Sequence, residues 1–268
     1  MLEIKNLTKS FGGLTAVSDL SFDLEKGELL GLIGPNGAGK TTLFNLISGV
    51  LKPTSGGVFF EGRSITGWPP HRLTATGIVR TFQNLRLMKG MSLFDNMKPA
   101  FHLKLHYNYF SALLEGRTFR SQERWMEDRI MEGLELFQMA SYRNVPVDDL
   151  AYGLQKRAEL VRALLFEPRI LLLDEPAAGL NPSETDELMQ VIRSIHKERR
   201  LSIIVVEHNM KVIMGVSQRV VVMEQGKLIA QGSPYAIRND ESVVKAYLGE
   251  RAWKKQARRL DEMGASDA

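Results

Sequence analysis

The chain has 268 residues, of which 44% are hydrophobic and 25% charged, values that exclude a largely disordered or collagen-like protein and suit one α/β core with a substantial insertion. Its net charge of +4 is too small and too evenly spread to indicate nucleic-acid binding, and the absence of cysteine excludes disulfides, thiolate metal sites and cysteine nucleophiles. No apolar run reaches the roughly 18 to 20 residues that cross a bilayer, and no signal-peptide pattern occurs. We therefore expect the chain to stay in the cytosol.

Two kinds of strand are predicted. Short, partly alternating segments, typical of an antiparallel layer, occur at 2–7, 20–24 and 58–60. Apolar runs without alternation, typical of strands buried on both faces of a parallel sheet, occur at 29–33, 170–173 and 203–206. The sequence thus predicts a mixed α/β core with an antiparallel layer. We assign the Ser-Gly-Gly run at 55–57 to a turn.

A phosphate-binding loop follows the strand predicted at 29–33. The pattern G-x-x-x-x-G-K-[ST] is matched by Gly34, Pro35, Asn36, Gly37, Ala38, Gly39, Lys40 and Thr41, and a helix is predicted from Thr42. Glycines let successive N–H groups and the helix N-terminus point at an anion. Lys40 should reach the β and γ phosphates of ATP, and the Thr41 hydroxyl should bind Mg²⁺. A glycine-rich turn with an incidental lysine is the alternative, and chance gives such a match about once in a hundred chains of this length.

The sequence pattern predicts helices between about residues 84 and 142, where Met, Leu, Arg and Glu recur at helical spacing, as in 124–137. We divide the chain into an ATP-binding core of 1–83 and 160–249, a helical subdomain of 84–159, and a basic tail of 250–268. The tail suits anionic lipid or a partner subunit, although a frayed terminal helix is as good an interpretation.

Three strands of the predicted core end in polar groups. Asp174 and Glu175 follow the apolar run at 170–173, Gln83 follows a strand predicted at 78–82, and His208 follows one at 203–207. Ligands bind beyond the carboxyl ends of strands in open α/β sheets. Asp174 then suits the Mg²⁺ shell, Glu175 the attacking water, and His208 the γ-phosphate, while Gln83 can sense both Mg²⁺ and water. An exposed acidic turn before Pro176 is the alternative for the acidic pair.

The last predicted elements are a helix that begins after Glu187 and runs to about residue 200, a strand, another helix, and a hairpin of 219–223 and 227–231 turned at Gln225-Gly226.

From about residue 3 to 250, the order of phosphate loop, glutamine, signature, acidic pair and histidine resembles the ABC ATPases. The signature would be Leu150-Ala151-Tyr152-Gly153-Leu154, which in that family caps the ATP held by the opposite subunit. Here Ala151 replaces the serine of the common LSGGQ form, Tyr152 a glycine and Leu154 the glutamine. The resemblance implies that the serine contact is lost, which would weaken capping by about 1 to 3 kcal/mol.

Two more positions are carried over from the resemblance. Phe11 falls where the family places an aromatic ring that stacks on adenine, with a core phenylalanine as the alternative. Asn181 stands in the family's dimer-contact loop, where aspartate is usual, so that communication between the two ATP sites is in doubt.

The AYG signature, the DEPAAGLNP segment and the Tyr-Leu-Gly-Glu ending narrow the resemblance to the ATPases of branched-chain amino acid importers. This implies a second ATPase subunit, identical or different, two membrane permease subunits and, indirectly, an extracytoplasmic substrate-binding protein, on the cytoplasmic face of the inner membrane. Urea, amides or other small polar solutes remain alternative substrates. The alternative functions are a soluble, non-transport ABC ATPase and an inactive ATP-binding scaffold.

Overall fold

The structure is a computed structural model that describes residues 1–102 and 117–248. The predicted basic tail, 250–268, lies outside these residues, as does part of the predicted helical subdomain. No helix in the described ranges is long and apolar enough to cross a membrane.

The chain divides into two compact units. The first consists of Met1–Pro69 and the chain from Ser202 onward, and the second of Pro70–Leu201. The predicted helical subdomain, 84–159, falls within the second unit.

The first unit contains an antiparallel sheet of order β2-β1-β4-β5, as predicted. Its strands are β1 (Leu2–Phe11), β2 (Leu14–Leu24), β4 (Ser55–Phe60) and β5 (Arg63–Ser64). Alternate residues of β1 such as Leu2 and Ile4 are buried, which gives this layer one core-facing side. Leu2 pairs with Leu24 on one side and with Phe60 on the other.

The turn predicted at 55–57 is wrong, because β4 already begins at Ser55. Gly56 has φ 77°, and a Cβ there would lie 2.1 Å from the carbonyl oxygen of Asn6. The pairing of β1 with β4 also shifts between Lys5 and Thr8. Glycine is thus needed for a close approach of two strands at an irregularity, which the sequence pattern alone makes indistinguishable from a turn.

The first unit also contains the strands of order β10-β9-β3-β8. They are β3 (Leu29–Ile33), β8 (Ser202–Val206), β9 (Arg219–Glu224) and β10 (Lys227–Gly232). β3 is parallel to both β8 and β9, and every residue of β3 and β8 is buried, as the continuous apolar runs predicted. Gln225 (φ 48°) and Gly226 (φ 81°) turn the antiparallel β9–β10 hairpin, because both take the positive φ that a two-residue type I′ turn requires. The core is therefore mixed, as expected.

Four helices complete the described part of the first unit: α1 (Lys40–Ile47), α7 (Met210–Val216), α8 (Pro234–Arg238) and α9 (Glu241–Leu248).

The second unit contains a parallel strand pair, β6 (Ile78–Arg80) and β7 (Ile170–Asp174). Its described helices are α2 (Pro70–Ala75), α3 (Leu93–Met97), α4 (Arg117–Leu136), α5 (Tyr152–Leu165) and α6 (Pro182–Arg199). On α4, Gly133 lets Leu165 of α5 approach closely, since a Cβ there would lie 3.1 Å from its methyl group. Buried Ile130 and Leu134 show the helical period that the sequence indicated.

Candidate functional site

The phosphate loop connects β3 to α1 within the first unit. Gly39 has φ 99°, and a Cβ there would lie 2.3 Å from the carbonyl oxygen of Ala16. At Gly34 a Cβ would lie 2.2 Å from the carbonyl oxygen of Met223. Both glycines are therefore required by packing against neighbouring backbone, in addition to the access to phosphate that the motif predicts.

Lys40 folds back over this loop. Its side chain is buried, and Nζ donates to the carbonyl oxygens of Gly34 at 2.6 Å and Pro35 at 3.0 Å. α1 begins at Lys40, and among the described residues no side chain caps it at Gly39. The first N–H groups of α1, near the exposed Thr41, carry the partial positive charge of a helix N-terminus, which attracts anions.

The acidic pair lies at the end of β7 in the second unit. Asp174 is 4% exposed, and its Oδ2 accepts a hydrogen bond from Nη2 of Arg80 at 2.7 Å. An exposed acidic turn, the alternative to a functional pair, does not describe a carboxylate this deeply buried. The sequence analysis did not identify Arg80 as a site residue. Its position on the strand predicted at 78–82, three residues before Gln83, could have indicated it.

Glu175 and Gln83 are brought together, as the strand-end prediction required. Gln83 Nε2 donates to Oε2 of Glu175 at 2.9 Å. Glu175 has φ 49°, an uncommon backbone conformation for a residue other than glycine, and the chain therefore turns sharply after β7. The two carboxylates of the pair consequently have different partners.

Side chains of α5 hold the backbone around Gln83. Lys156 Nζ donates to the carbonyl oxygen of Gln83 at 3.1 Å, and Arg162 Nη1 donates to that of Arg86 at 2.7 Å. Between them, burial raises the pKa of Glu159, which Lys156 and Arg162 oppose. The sequence analysis did not identify Lys156, Glu159 and Arg162 as a group. The signal that could have indicated them is their spacing of three residues, which places ionisable side chains on one otherwise apolar helix face.

The signature segment forms the turn into α5, as the resemblance implied. Ala151 occupies the N-cap position, where no side chain among the described residues caps the helix. Leu150 is buried, while Tyr152 is 45% exposed and lies against Gly179, where a Cβ would come within 2.9 Å of its ring. Tyr152 therefore links the signature to the segment that precedes α6.

Asn181 caps α6. Its side chain accepts from the N–H of Glu184 at 3.0 Å, while the Glu184 carboxylate accepts from the N–H of Asn181 at 3.0 Å. This reciprocal arrangement is a capping box, and Pro182 follows at the first helical position. The residue that stands where aspartate is usual thus has a local structural role.

Phe11 and His208 both belong to the first unit and are accessible. Phe11 is 46% exposed at the end of β1, with Lys9 Nζ 5.0 Å from its ring centroid. The core alternative for Phe11 is therefore wrong. The side chain of His208 is 60% exposed and follows the buried Glu207, whose Oε2 lies 4.0 Å from His208 Nδ1.

Tyr247 of α9 is a further residue beside the phosphate loop. Burial raises the pKa of its phenol, and the nearby backbone of Gly34 opposes that shift, although the buried hydroxyl makes no hydrogen bond within the described residues. Tyr247 is the first residue of the Tyr-Leu-Gly-Glu ending, which the sequence analysis identified only as a feature shared with the ATPases of branched-chain amino acid importers.

The donors predicted for Mg²⁺ fit that ion. They are the Thr41 hydroxyl, the Gln83 amide and the Asp174 carboxylate, all of which offer the oxygen ligands that Mg²⁺ takes. Within residues 1–102 and 117–248 there is no cluster of three or more His, Cys, Asp or Glu side chains that could hold a metal ion.

The fold and these motifs define an ATP-binding cassette, and the comparison with known families agrees. Residues 17–178 match the family described as "ABC transporter", so this chain belongs to the ABC transporter ATP-binding family and is an ATP-hydrolysing subunit. Residues 227–252 match the description "Branched-chain amino acid ATP-binding cassette transporter".

Similar sequences have names that agree with this family. The chain is 42% identical over 250 residues to the high-affinity branched-chain amino acid transport ATP-binding proteins BraF of Pseudomonas aeruginosa and LivG of Escherichia coli. These alignments cover 93% of this chain and 98% of each relative. The lipopolysaccharide export system ATP-binding protein LptB of Escherichia coli is 33% identical over 249 residues, with 93% and 97% covered.

The fold is also that of solved cassettes. The ADP conformation of MJ1267, an ATP-binding cassette of an ABC transporter, has a TM-score of 0.80 at 28% identity, with 93% of this chain and 99% of that chain covered. A nucleotide-free ATP-binding cassette from an ABC transporter also gives 0.80, at 30% identity and the same coverage.

Proposed function

We propose that this chain energises an importer of branched-chain amino acids or similar small polar solutes. The observation that carries the proposal is the 42% identity, across almost the full length of each relative, to ATP-binding proteins named for branched-chain amino acid transport. Identity to the lipopolysaccharide export ATPase is lower, at 33%. The C-terminal match to the branched-chain family supports the same substrate class. A soluble, non-transport ABC ATPase is not favoured.

The working assembly contains a second ATPase subunit, identical or different, and two membrane permease subunits served by an extracytoplasmic substrate-binding protein. The chain then lies on the cytoplasmic face of the inner membrane. Relatives named as branched-chain amino acid transport ATP-binding proteins support this arrangement.

ATP is held by residues 34–42, with Lys40 and the N-terminus of α1 on its phosphates and Phe11 stacked on adenine. The 46% exposure of Phe11 supports this role, because a stacking ring must be accessible. Leu150, Ala151, Tyr152 and Gly153 cap the ATP of the opposite subunit.

In hydrolysis, Glu175 orients and deprotonates the attacking water, and His208 donates a hydrogen bond to the γ-phosphate. Thr41, Gln83 and Asp174 hold Mg²⁺, which when bound neutralises charge on the β and γ phosphates. The hydrogen bond from Gln83 to Glu175 supports the role of Glu175, because it sets the direction of the carboxylate before substrate binds.

Two experiments test the proposed function. The chain is affinity-tagged in its native organism and purified from detergent-solubilised membranes. We expect mass spectrometry to find two permeases and an ATPase subunit bound to it. Uptake of radiolabelled leucine, isoleucine and valine is then compared with uptake of urea and an amide in cells that carry Lys40→Ala. Recovery of the chain without any permease, or undiminished uptake of every one of these solutes, would contradict the proposal.

A further inference from the structure

Arg80 and Asp174 form a buried ion pair within the second unit. Arg80 ends β6, Asp174 ends β7, and Nη2 of the arginine lies 2.7 Å from Oδ2 of the aspartate. Only 6% of the Arg80 side chain and 5% of the Asp174 side chain are exposed. Arginine stays charged in proteins, so this carboxylate has a permanent cation beside it.

Neighbouring groups hold the pair in one geometry. Arg80 lies opposite Leu172 in the parallel register, so its side chain reaches two residues along β7 to Asp174. The N–H of Thr81 donates to the Leu172 carbonyl at 3.0 Å, and the N–H of Asp174 donates to the Thr81 hydroxyl at 3.4 Å. The guanidinium also lies 5.1 Å from the centroid of the Phe82 ring, which restricts its plane.

Arg80 and Gln83 divide the two adjacent carboxylates between them. Gln83 Nε2 donates to Glu175 at 2.9 Å, just as Arg80 donates to Asp174 at 2.7 Å. The hydrogen bond from Arg80 reaches Oδ2 of Asp174. One short segment of chain therefore orients both acids.

Stability is a poor explanation for this pair. Desolvation of two charges offsets much of their attraction, and replacement of a buried ion pair by apolar residues is often neutral or stabilising. A carboxylate that binds a metal, in contrast, needs an outer partner that fixes which oxygen meets the cation. The planar fork of arginine supplies direction as well as charge.

We propose that Arg80 is a positioning residue for the Mg²⁺ that accompanies ATP. It holds Oδ2 of Asp174 and thereby presents Oδ1 to the ion or its water shell. This inference rests on the proposed function of Asp174 as a Mg²⁺ ligand. Loss of such an outer partner typically lowers metal affinity or activity by about 10-fold to 100-fold.

The test measures what Mg²⁺ adds to nucleotide binding. The parent chain, Arg80→Gln, Arg80→Lys, Asp174→Asn and the double variant are titrated with a fluorescent ATP analogue in excess Mg²⁺ and again in EDTA. The Kd in EDTA divided by the Kd in Mg²⁺ should fall about 10-fold or more in Arg80→Gln, while the Kd in EDTA itself stays within about twofold. In the Asp174→Asn background, Arg80→Gln should change nothing further, because the residue acts through Asp174.

Two features of the design separate this role from a structural one. Arg129→Gln, which breaks an exposed pair with Glu132, is the matched control and should leave the ratio unchanged. Arg80→Lys keeps the charge but lacks the fork, so it should fold and still lower the ratio. Should Arg80→Gln fail to fold, Arg80→Lys and the double variant decide the question, since neither leaves the aspartate buried without a cation.

Each outcome is decisive. If Asp174→Asn removes the effect of Mg²⁺ on the Kd but both Arg80 variants keep the parental ratio, the role of Arg80 is overturned and that of Asp174 is left intact. An effect of Arg80→Gln that is equally large in the Asp174→Asn background would also overturn it, because the residue would then act elsewhere. No dependence on Mg²⁺ in the parent or in any variant would overturn both assignments.

Discussion

The N-termini of α5 and α6 differ in how their first N–H groups are satisfied. α6 begins at a complete capping box, in which Asn181 and Glu184 exchange hydrogen bonds. α5 begins after Ala151, which has no side-chain atom able to accept a hydrogen bond, although Oε1 of Glu184 would lie 3.0 Å from a Cβ at Gly153 in its first turn. α1, which follows the phosphate loop, is likewise uncapped at Gly39 in the described chain.

A side-chain cap and an anionic ligand can bind the same helix N-terminal amides. A side-chain cap contributes about 1 kcal/mol to a helix, so its absence from two helices that carry family ATP-binding motifs needs a reason. An anion bound at those amides would satisfy them in the cap's place, as we propose for the phosphates of ATP. Four substitutions test how these helix N-termini and the residues around them act.

The largest effect is expected from Glu175→Gln, which should keep ATP bound at the open helix N-termini. Removal of a general base typically lowers turnover by about 100-fold to 10,000-fold, whereas nucleotide binding should persist. Phosphate release by the assembled transporter measures the loss, and Glu132→Gln on the exposed face of α4 is the control. Hydrolysis at the parental rate would remove Glu175 from its proposed role.

A smaller effect is expected from Ala151→Ser, which returns an acceptor and donor to the start of α5. A hydrogen bond to a charged group contributes about 1.5 to 3 kcal/mol, so ATP-dependent dimerisation should tighten at the site that this signature caps. Sedimentation of the Glu175→Gln chain with and without this change measures it, and the same chains without ATP serve as the reference. Equal dimerisation in ATP would show that the signature amides do not meet the partner's phosphate.

Asn181→Ala should destabilise the chain by about 1 kcal/mol, because it removes the side-chain half of the capping box. Asn181→Asp keeps an acceptor at that position, so its Tm should match the parent within error. Thermal unfolding in the absence of nucleotide compares the three proteins. If Asn181→Ala unfolds with the parent, the cap contributes nothing and the contrast between α5 and α6 loses its energetic basis.

The smallest effect concerns pH and Glu159 of α5. Burial raises the folded-state pKa of Glu159 above its ordinary 4.5, so the ionised carboxylate destabilises the fold above that raised pKa, and the penalty disappears as the pH falls toward 4.5. Glu159→Gln should therefore gain stability relative to the parent at neutral pH, with the gain shrinking in acid. Tm values measured from pH 7 to 4.5 test this. A difference that stays constant with pH would contradict the raised pKa.

Much of the fold was predictable because its signals are local. Continuous apolar runs marked β3, β7 and β8, and Gln225-Gly226 marked the hairpin, since both patterns depend on neighbours in sequence. Gly56 was misassigned because the strand that it must approach is some fifty residues away. The start of α6 was placed too late, since its capping box lies outside the apolar period that the prediction followed.

The candidate site divides in the same way. The residue types of the phosphate loop, the acidic pair and the signature were readable from the sequence by itself, because phosphate and Mg²⁺ chemistry demands particular groups at fixed spacing. The three-dimensional structure was needed to show that Arg80 contacts Asp174, that Gln83 contacts Glu175, and that Phe11 is exposed. Such contacts join segments about ninety residues apart or depend on what covers a side chain, and no local spacing encodes either.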